Sequence, residues 1–125
     1  QGVKMIEDLI SYIKANLSVT RIYPQKAPLD TVLPCLVWYL DGVQRFQSHS
    51  GTSVLKDSDF QLDVWAKDQQ SATVLMRELI TLLEDFTGTM GTTRVDWTTI
   101  TGEDTAFDGA TKLYNHSVFI TFSHH

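Results

Sequence analysis

A chain of 125 residues with 42% hydrophobic and 20% charged content is long enough to fold as one domain, and too apolar for a disordered segment. Its formal charge of −5, with no two Lys or Arg residues adjacent, excludes the basic face that a sequence-reading DNA-binding domain needs. A single cysteine, Cys35, excludes an internal disulfide and points to synthesis in a reducing compartment; no apolar run reaches the roughly 18 residues of a membrane helix.

The apolar spacing of Ile6, Leu9, Ile10, Ile13 and Leu17 predicts a first helix over residues 3–17, with Glu7, Asp8, Lys14 and Asn16 facing water. Glu7 and Asp8 fall early enough to complement the positive end of the helix dipole. Arg21-Ile22-Tyr23 reads as a short extended piece stopped by Pro24, and 24–34 as a loop with Pro28 and Asp30 as turn residues. The unbroken apolar run 35–40 predicts a central strand covered on both faces. Asp41-Gly42 then marks a turn or bulge before an extended 43–47, and the small polar composition of 48–56 a long mobile connection.

The clearest unit spans residues 57–88. Phe60, Leu62 and Val64 alternate with Gln61, Asp63 and Trp65, a half-buried strand. Asp68 is a good N-cap, after which Ala72, Leu75, Met76, Leu79, Leu82, Leu83 and Phe86 form one helical stripe, with Gly88 as the stop. Residues 89–93 read as a turn, 93–102 as a strand and 102–110 as an acidic loop. The last strand, 112–122, places His116, Val118, Ile120 and Phe122 on one face and Ser117, Phe119 and Thr121 on the other. This order predicts an α+β two-layer sandwich: a mixed, mostly antiparallel sheet of four or five strands with two helices on one face. The whole chain reads as a single domain. Gln1-Gly2 resembles a cleaved linker and His124-His125 the start of a histidine tag, so 1–4 and 124–125 are set apart from it and from any metal site.

Little in the chain points to catalysis. Cys35 could serve as a nucleophile with His49 or His116 as its base, but a thiol opening an apolar strand has a raised pKa and reads as core. Glu103, Asp104 and Asp108 crowd one stretch without the regular ligand spacing of a calcium loop. No pair of histidines or acids has metal-ligand spacing, and 88–91 follows a helix where a phosphate loop would precede one. No catalytic residue, cofactor or metal is therefore expected.

The aromatic residues are more informative. Trp65 falls on the polar side of its strand, Trp97 on the same strand face as Val95 and Thr99, and Phe46 beside the small-residue connection. Large aromatics on the solvent side of a sheet mark interfaces, because they bury much area at low entropic cost. Phe46, Val54, Leu55, Trp65 and Trp97 are thus the candidates for contact with another chain.

Four segments in order resemble the tail-completion, or tail-terminator, proteins of long-tailed bacteriophages and prophages. They are Arg21-Ile22-Tyr23-Pro24 with Ala27-Pro28; the strand Leu33-Pro34-Cys35-Leu36-Val37-Trp38-Tyr39; Phe60-Gln61-Leu62-Asp63-Val64-Trp65-Ala66 with the helix after it; and Leu113-Tyr114 with 117–122. Two positions depart from the family pattern: Lys56-Asp57-Ser58-Asp59 and Asn115 stand where arginines are usual. The resemblance implies a structural protein of the virion tail, made in the bacterial cytoplasm. It implies a ring, of six copies once assembled, that caps the tail tube and meets the head. Its partners would be further copies of itself, the major tail tube protein and a head-completion or connector protein, with DNA passing through without specific binding. The alternatives are a head–tail connector or minor capsid component, and a small α+β enzyme or ligand-binding domain using Cys35, His116 and the acidic stretch.

Overall fold

The computed structural model describes residues 2–17, 21–24, 33–47, 54–91, 93–110 and 112–124. The predicted loop residues Pro28 and Asp30, the Ala27-Pro28 part of the resemblance, His49 and most of the 48–56 connection lie outside them. In chain order the elements are α1 (Gly2–Asn16), β1 (Ile22–Pro24), β2 (Cys35–Gln47), β3 (Val54–Ala66), α2 (Gln69–Leu83), β4 (Gly88–Met90), β5 (Thr93–Asp108) and β6 (Leu113–His124).

The strands form one curled sheet in the order β1-β2-β3-β6-β5-β4. Its six strands exceed the predicted four or five, and its curl departs from a flat two-layer sandwich. β1 runs parallel to β2, and every other pairing is antiparallel. The fold is therefore α+β with a mixed sheet, as the pattern of elements predicts.

Both helices pack on one sheet face. From α1 come Met5, Leu9, Ile13 and Leu17; from α2, Ala72, Leu75, Met76, Leu79 and Leu83; from the sheet, Leu36, Phe60, Leu62, Val64, Val95, Val118, Ile120 and Phe122. Each such side chain contributes about 1.5–3 kcal/mol by leaving water. Phe60 and Phe122 meet edge-on at 5.6 Å in the middle of this layer. The predicted alternation in β6 holds, with His116, Val118, Ile120 and Phe122 all buried on the helix side.

Several boundaries differ from expectation, each for a local reason. Asp68 caps α2 as predicted, its carboxylate accepting from the Ser71 N–H at 2.7 Å and the Ser71 hydroxyl at 3.0 Å. The helix ends at Leu83 rather than near Gly88: Glu84 turns extended and Asp85 adopts φ 58°. Asp tolerates that left-handed backbone, and leaving the helix early lets Phe86 pack edge-on against Tyr12 at 5.0 Å. Gly88 instead opens β4, so the predicted turn at 89–93 is a hairpin between β4 and β5.

Glu7 and Asp8 lie past the first turn of α1, where the dipole effect has faded. Asp8 does not simply face water; it is half-buried and accepts a hydrogen bond from the Thr93 hydroxyl. The 54–56 end of the predicted connection is strand, because β2 and β3 continue as a long hairpin that pairs Phe46 with Leu55 and Gln47 with Val54. The predicted loop at 102–110 is mostly strand too. β5 reaches Asp108, and the chain reverses in a turn closed by Lys112 N–H donating to the Asp108 carbonyl at 2.7 Å. The Asp108 side chain supports that turn by accepting from the Ala110 N–H at 3.0 Å.

Candidate assembly surfaces

Among the described residues, the chemistry considered from sequence does not come together. Cys35 pairs with Trp65, whereas His116 pairs with the adjacent Val64, so the two side chains belong to opposite sheet faces and cannot share a proton. Burial pushes the Cys35 thiol up from its ordinary value, with the nearby Arg21 guanidinium opposing only in part. Glu103 and Asp104 are neighbours on a strand and therefore diverge. Among the described residues no group of three or more His, Cys, Asp or Glu is arranged to hold a metal ion. His124, set apart in the sequence reading, closes β6; it is buried, with Nε2 2.6 Å from the Ser58 Oγ. That pair lies inside the core layer, where no substrate reaches it.

The sheet face away from the helices carries a different pattern. Asp57, Asp59 and Asp63 line β3 at alternate positions. The Ser123 hydroxyl donates to Asp57 and the Thr121 hydroxyl to Asp59, each at 2.7 Å, and Gln61 Nε2 donates to Asp63 at 3.0 Å. These carboxylates are held by neutral donors. Burial, and next the negative charge of Asp63, push the Tyr39 hydroxyl up on the same face. Asp41, Asp59, Thr101, Phe119 and Thr121 border a hollow of about 350 Å³ there. At the bottom of the same face, the Asn115 Oδ1 is buried without a hydrogen-bond partner among the described residues.

Of the residues singled out for contact with another chain, Trp97 is 60% exposed. It does not share a face with Val95, as strict alternation predicts, because a bulge lies between them: Val95 pairs with His124 and Trp97 with Ser123. One extra residue turns Val95 into the core and Trp97 outward. Trp65 is half-buried between Cys35 and Asn115 on the neighbouring strands, so it is less open than its polar neighbours suggest. Phe46, Val54 and Leu55 lie together at the tip of the β2–β3 hairpin by their backbone pairing.

Sequence reasoning passed over three exposed apolar residues: Val43 at 38%, Val74 at 52% and Phe107 at 55%. Val74 stands beside a groove of about 550 Å³ between the end of α1 and α2. Phe107 was hidden inside an apparently acidic loop. The Asp108-Gly109 turn signal just after it was the clue that a strand precedes it.

Comparison with known proteins adds the deciding observation: residues 8–124 match the family described as Tail completion protein gp17. The chain belongs to this family. It is a structural tail-completion protein, and its place is the virion tail. In three dimensions it is similar to a chain in the virion of a native gene transfer agent particle, with a TM-score of 0.58 and 11% identity. That likeness covers 94% of this chain and 84% of the other, and shows a shared fold. No protein with a curated description matches by sequence. The chain is thus a component of a virion tail assembly. The family is one of structural rather than catalytic proteins.

Proposed function

We propose that copies of this chain close into a ring, six in number, on the end of a finished tail tube, and that the ring presents the surface on which the head's connector docks. The family match across residues 8–124 carries this reading. The physical chemistry agrees with it. A subunit with a net charge of −5, whose outward sheet face carries Asp57, Asp59 and Asp63, has little attraction for DNA moving through the ring. Large exposed side chains such as Trp97 and Phe107 are the kind that gain area at an interface. The chain acts by shape and contact, not as an enzyme: its thiol is buried, and Glu103 and Asp104 diverge on their strand.

Phe46, Val54, Leu55, Trp65 and Trp97 are assigned to contacts with neighbouring subunits or the tube protein. The direct test adds purified protein to growing tail tubes and follows them by electron microscopy. Tubes should stop elongating and carry one extra ring of density at a single end. Continued growth with no added density would overturn the reading.

A further inference from the structure

We propose that neighbouring copies join edge to edge, the outer half of β2 in one copy pairing antiparallel with the outer half of β5 in the next. The sheet then runs on from subunit to subunit. The inference deepens the ring reading and rests on it.

β1 and β4 are too short to cover the strands they border. β1 pairs with β2 only at Leu36, Val37 and Trp38, and β4 with β5 only at Thr93, Arg94 and Val95. Among the described residues, the rest of each strand has a partner on one side only. Each also has a bulge, between Leu40 and Gly42 in β2 and between Ile100 and Gly102 in β5. Beyond the bulges lie two regular runs of similar length, 42–47 and 102–108, each with one row of backbone donors and acceptors turned away from the sheet. Such edges recruit another strand unless they are blunted. Neither run contains proline or lysine, the bulges lie at their inner ends, and the charges they do carry are of opposite sign.

The two runs are complementary. The charged residue of 42–47 is Arg45, which pairs with Lys56 of β3; 102–108 carries Glu103, Asp104 and Asp108 and no cation. Among the described side chains, Val43 is 38% exposed in the first run and Phe107 55% exposed in the second. Register places both on the helix side of the sheet, since Val43 pairs with Ser58 and Ser58 with Phe122, while Phe107 pairs with Tyr114. A sheet continued from copy to copy keeps its faces, so these two belong to one surface of the joint. Two β5 edges brought together would instead set three acids against three, and two β2 edges would set Arg45 against Arg45.

Direction follows from topology. β2, β3, β6 and β5 alternate in sense, so β2 and β5 run oppositely and the joint between copies is antiparallel. The contact is heterologous, the type that closes into a ring. It is also staggered. Gln44 is level with Ser123 on β6 through Asp57, whereas Thr105 is level with His116. Bringing 42–47 beside 102–108 therefore displaces each copy along its strands by roughly 24 Å, at ~3.4 Å per residue. β1 and β4 then bracket the joint from below and above. A ring built this way closes only with its strands tilted from the ring axis, as in a barrel.

Disulfide trapping tests the joint. Within one copy, Val43 and Thr105 are three strand spacings apart across the sheet, about 14 Å, and also far apart along it. A disulfide between them must therefore join two copies. Val43→Cys/Thr105→Cys and Val43→Cys/Glu103→Cys proteins should give a ladder of linked copies on mild oxidation, both in concentrated solution and on capped tubes. The single variants should stop at dimers or stay unlinked. Arg45→Glu and Glu103→Lys/Asp104→Lys proteins should each fail to link in the Val43→Cys/Thr105→Cys background, and a mixture of the two should link again. Circular dichroism of each variant shows whether its monomer is folded. Folded protein that caps tubes but gives no ladder in either cysteine pair overturns the edge joint and leaves the tail reading standing. A ladder from protein that does not cap tubes supports the joint and overturns the tail reading. Neither ladder nor capping overturns both.

Discussion

The Thr93 hydroxyl donates a 2.5 Å hydrogen bond to the Asp8 carboxylate, joining α1 to the start of β5 across 85 residues of chain. Gly91 makes room for this contact. It sits at φ +56°, and a Cβ there would lie 2.8 Å from the Asp8 Cγ. A charged acceptor in a half-buried place holds the helix to the sheet more firmly than a neutral one. Asp8→Ala should lower stability by about 1.5–3 kcal/mol, read as a reduced urea midpoint at unchanged slope. Gly91→Ala should also destabilise, through the left-handed backbone and the clash. The double variant should cost less than the two separate losses, because the clash disappears with the carboxylate.

Phe60 is the centre of the core. Its ring stands edge-on to Phe122 at 5.6 Å and tilted to Trp38 at 6.5 Å, at 1% exposure. Phe60→Ala should cost about 3–5 kcal/mol, measured by denaturant unfolding. Phe60→Leu should recover most of that loss.

Trp97 and Trp65 should separate in a charge-insertion experiment. Trp97 is 60% exposed, so Trp97→Lys should change monomer stability by only about 0.5 kcal/mol while abolishing tube capping. Trp65 is half-buried between two strands, so Trp65→Lys should lower the melting temperature of the monomer as well. Thermal unfolding beside tube capping by electron microscopy reads both. Infectious tails completed by Trp97→Lys protein would remove that residue from the interface.

The Cys35 thiol should be silent in the native protein. It is 1% exposed, and burial raises its pKa above the ordinary 9.0. Iodoacetamide at pH 8 should label it only after unfolding in urea. A raised folded-state pKa contributes stability that is complete below the unfolded value and lost as pH climbs through the folded one. The fold should accordingly weaken above pH 9, and Cys35→Ala should flatten that decline. Some slope should remain at higher pH from Tyr39, whose ordinary value of 10.0 is also raised by burial.

Much of this was legible in the residues themselves. The stripes of α1 and α2, the Asp68 cap and the alternation of β3 and β6 depend on contacts a few residues apart, which periodicity records directly. The full reach of β5 was not legible. The acids of 102–108 mimic a loop because an edge strand tolerates charge on both faces, whereas a buried strand must alternate. Asp8 reads as a solvated residue until Thr93 arrives from the far end of the chain.

By itself, then, the sequence determined the fold class and the core. These follow from local apolar spacing and from which residue types the chain contains. Only the tertiary structure decided which surface is available to a partner. One inserted residue in β5 carried Trp97 to the opposite face from Val95, and among the described residues the short β1 and β4 cover only part of β2 and β5. Bulges and strand order are settled by cooperative pairing across the whole sheet, and no local pattern encodes them.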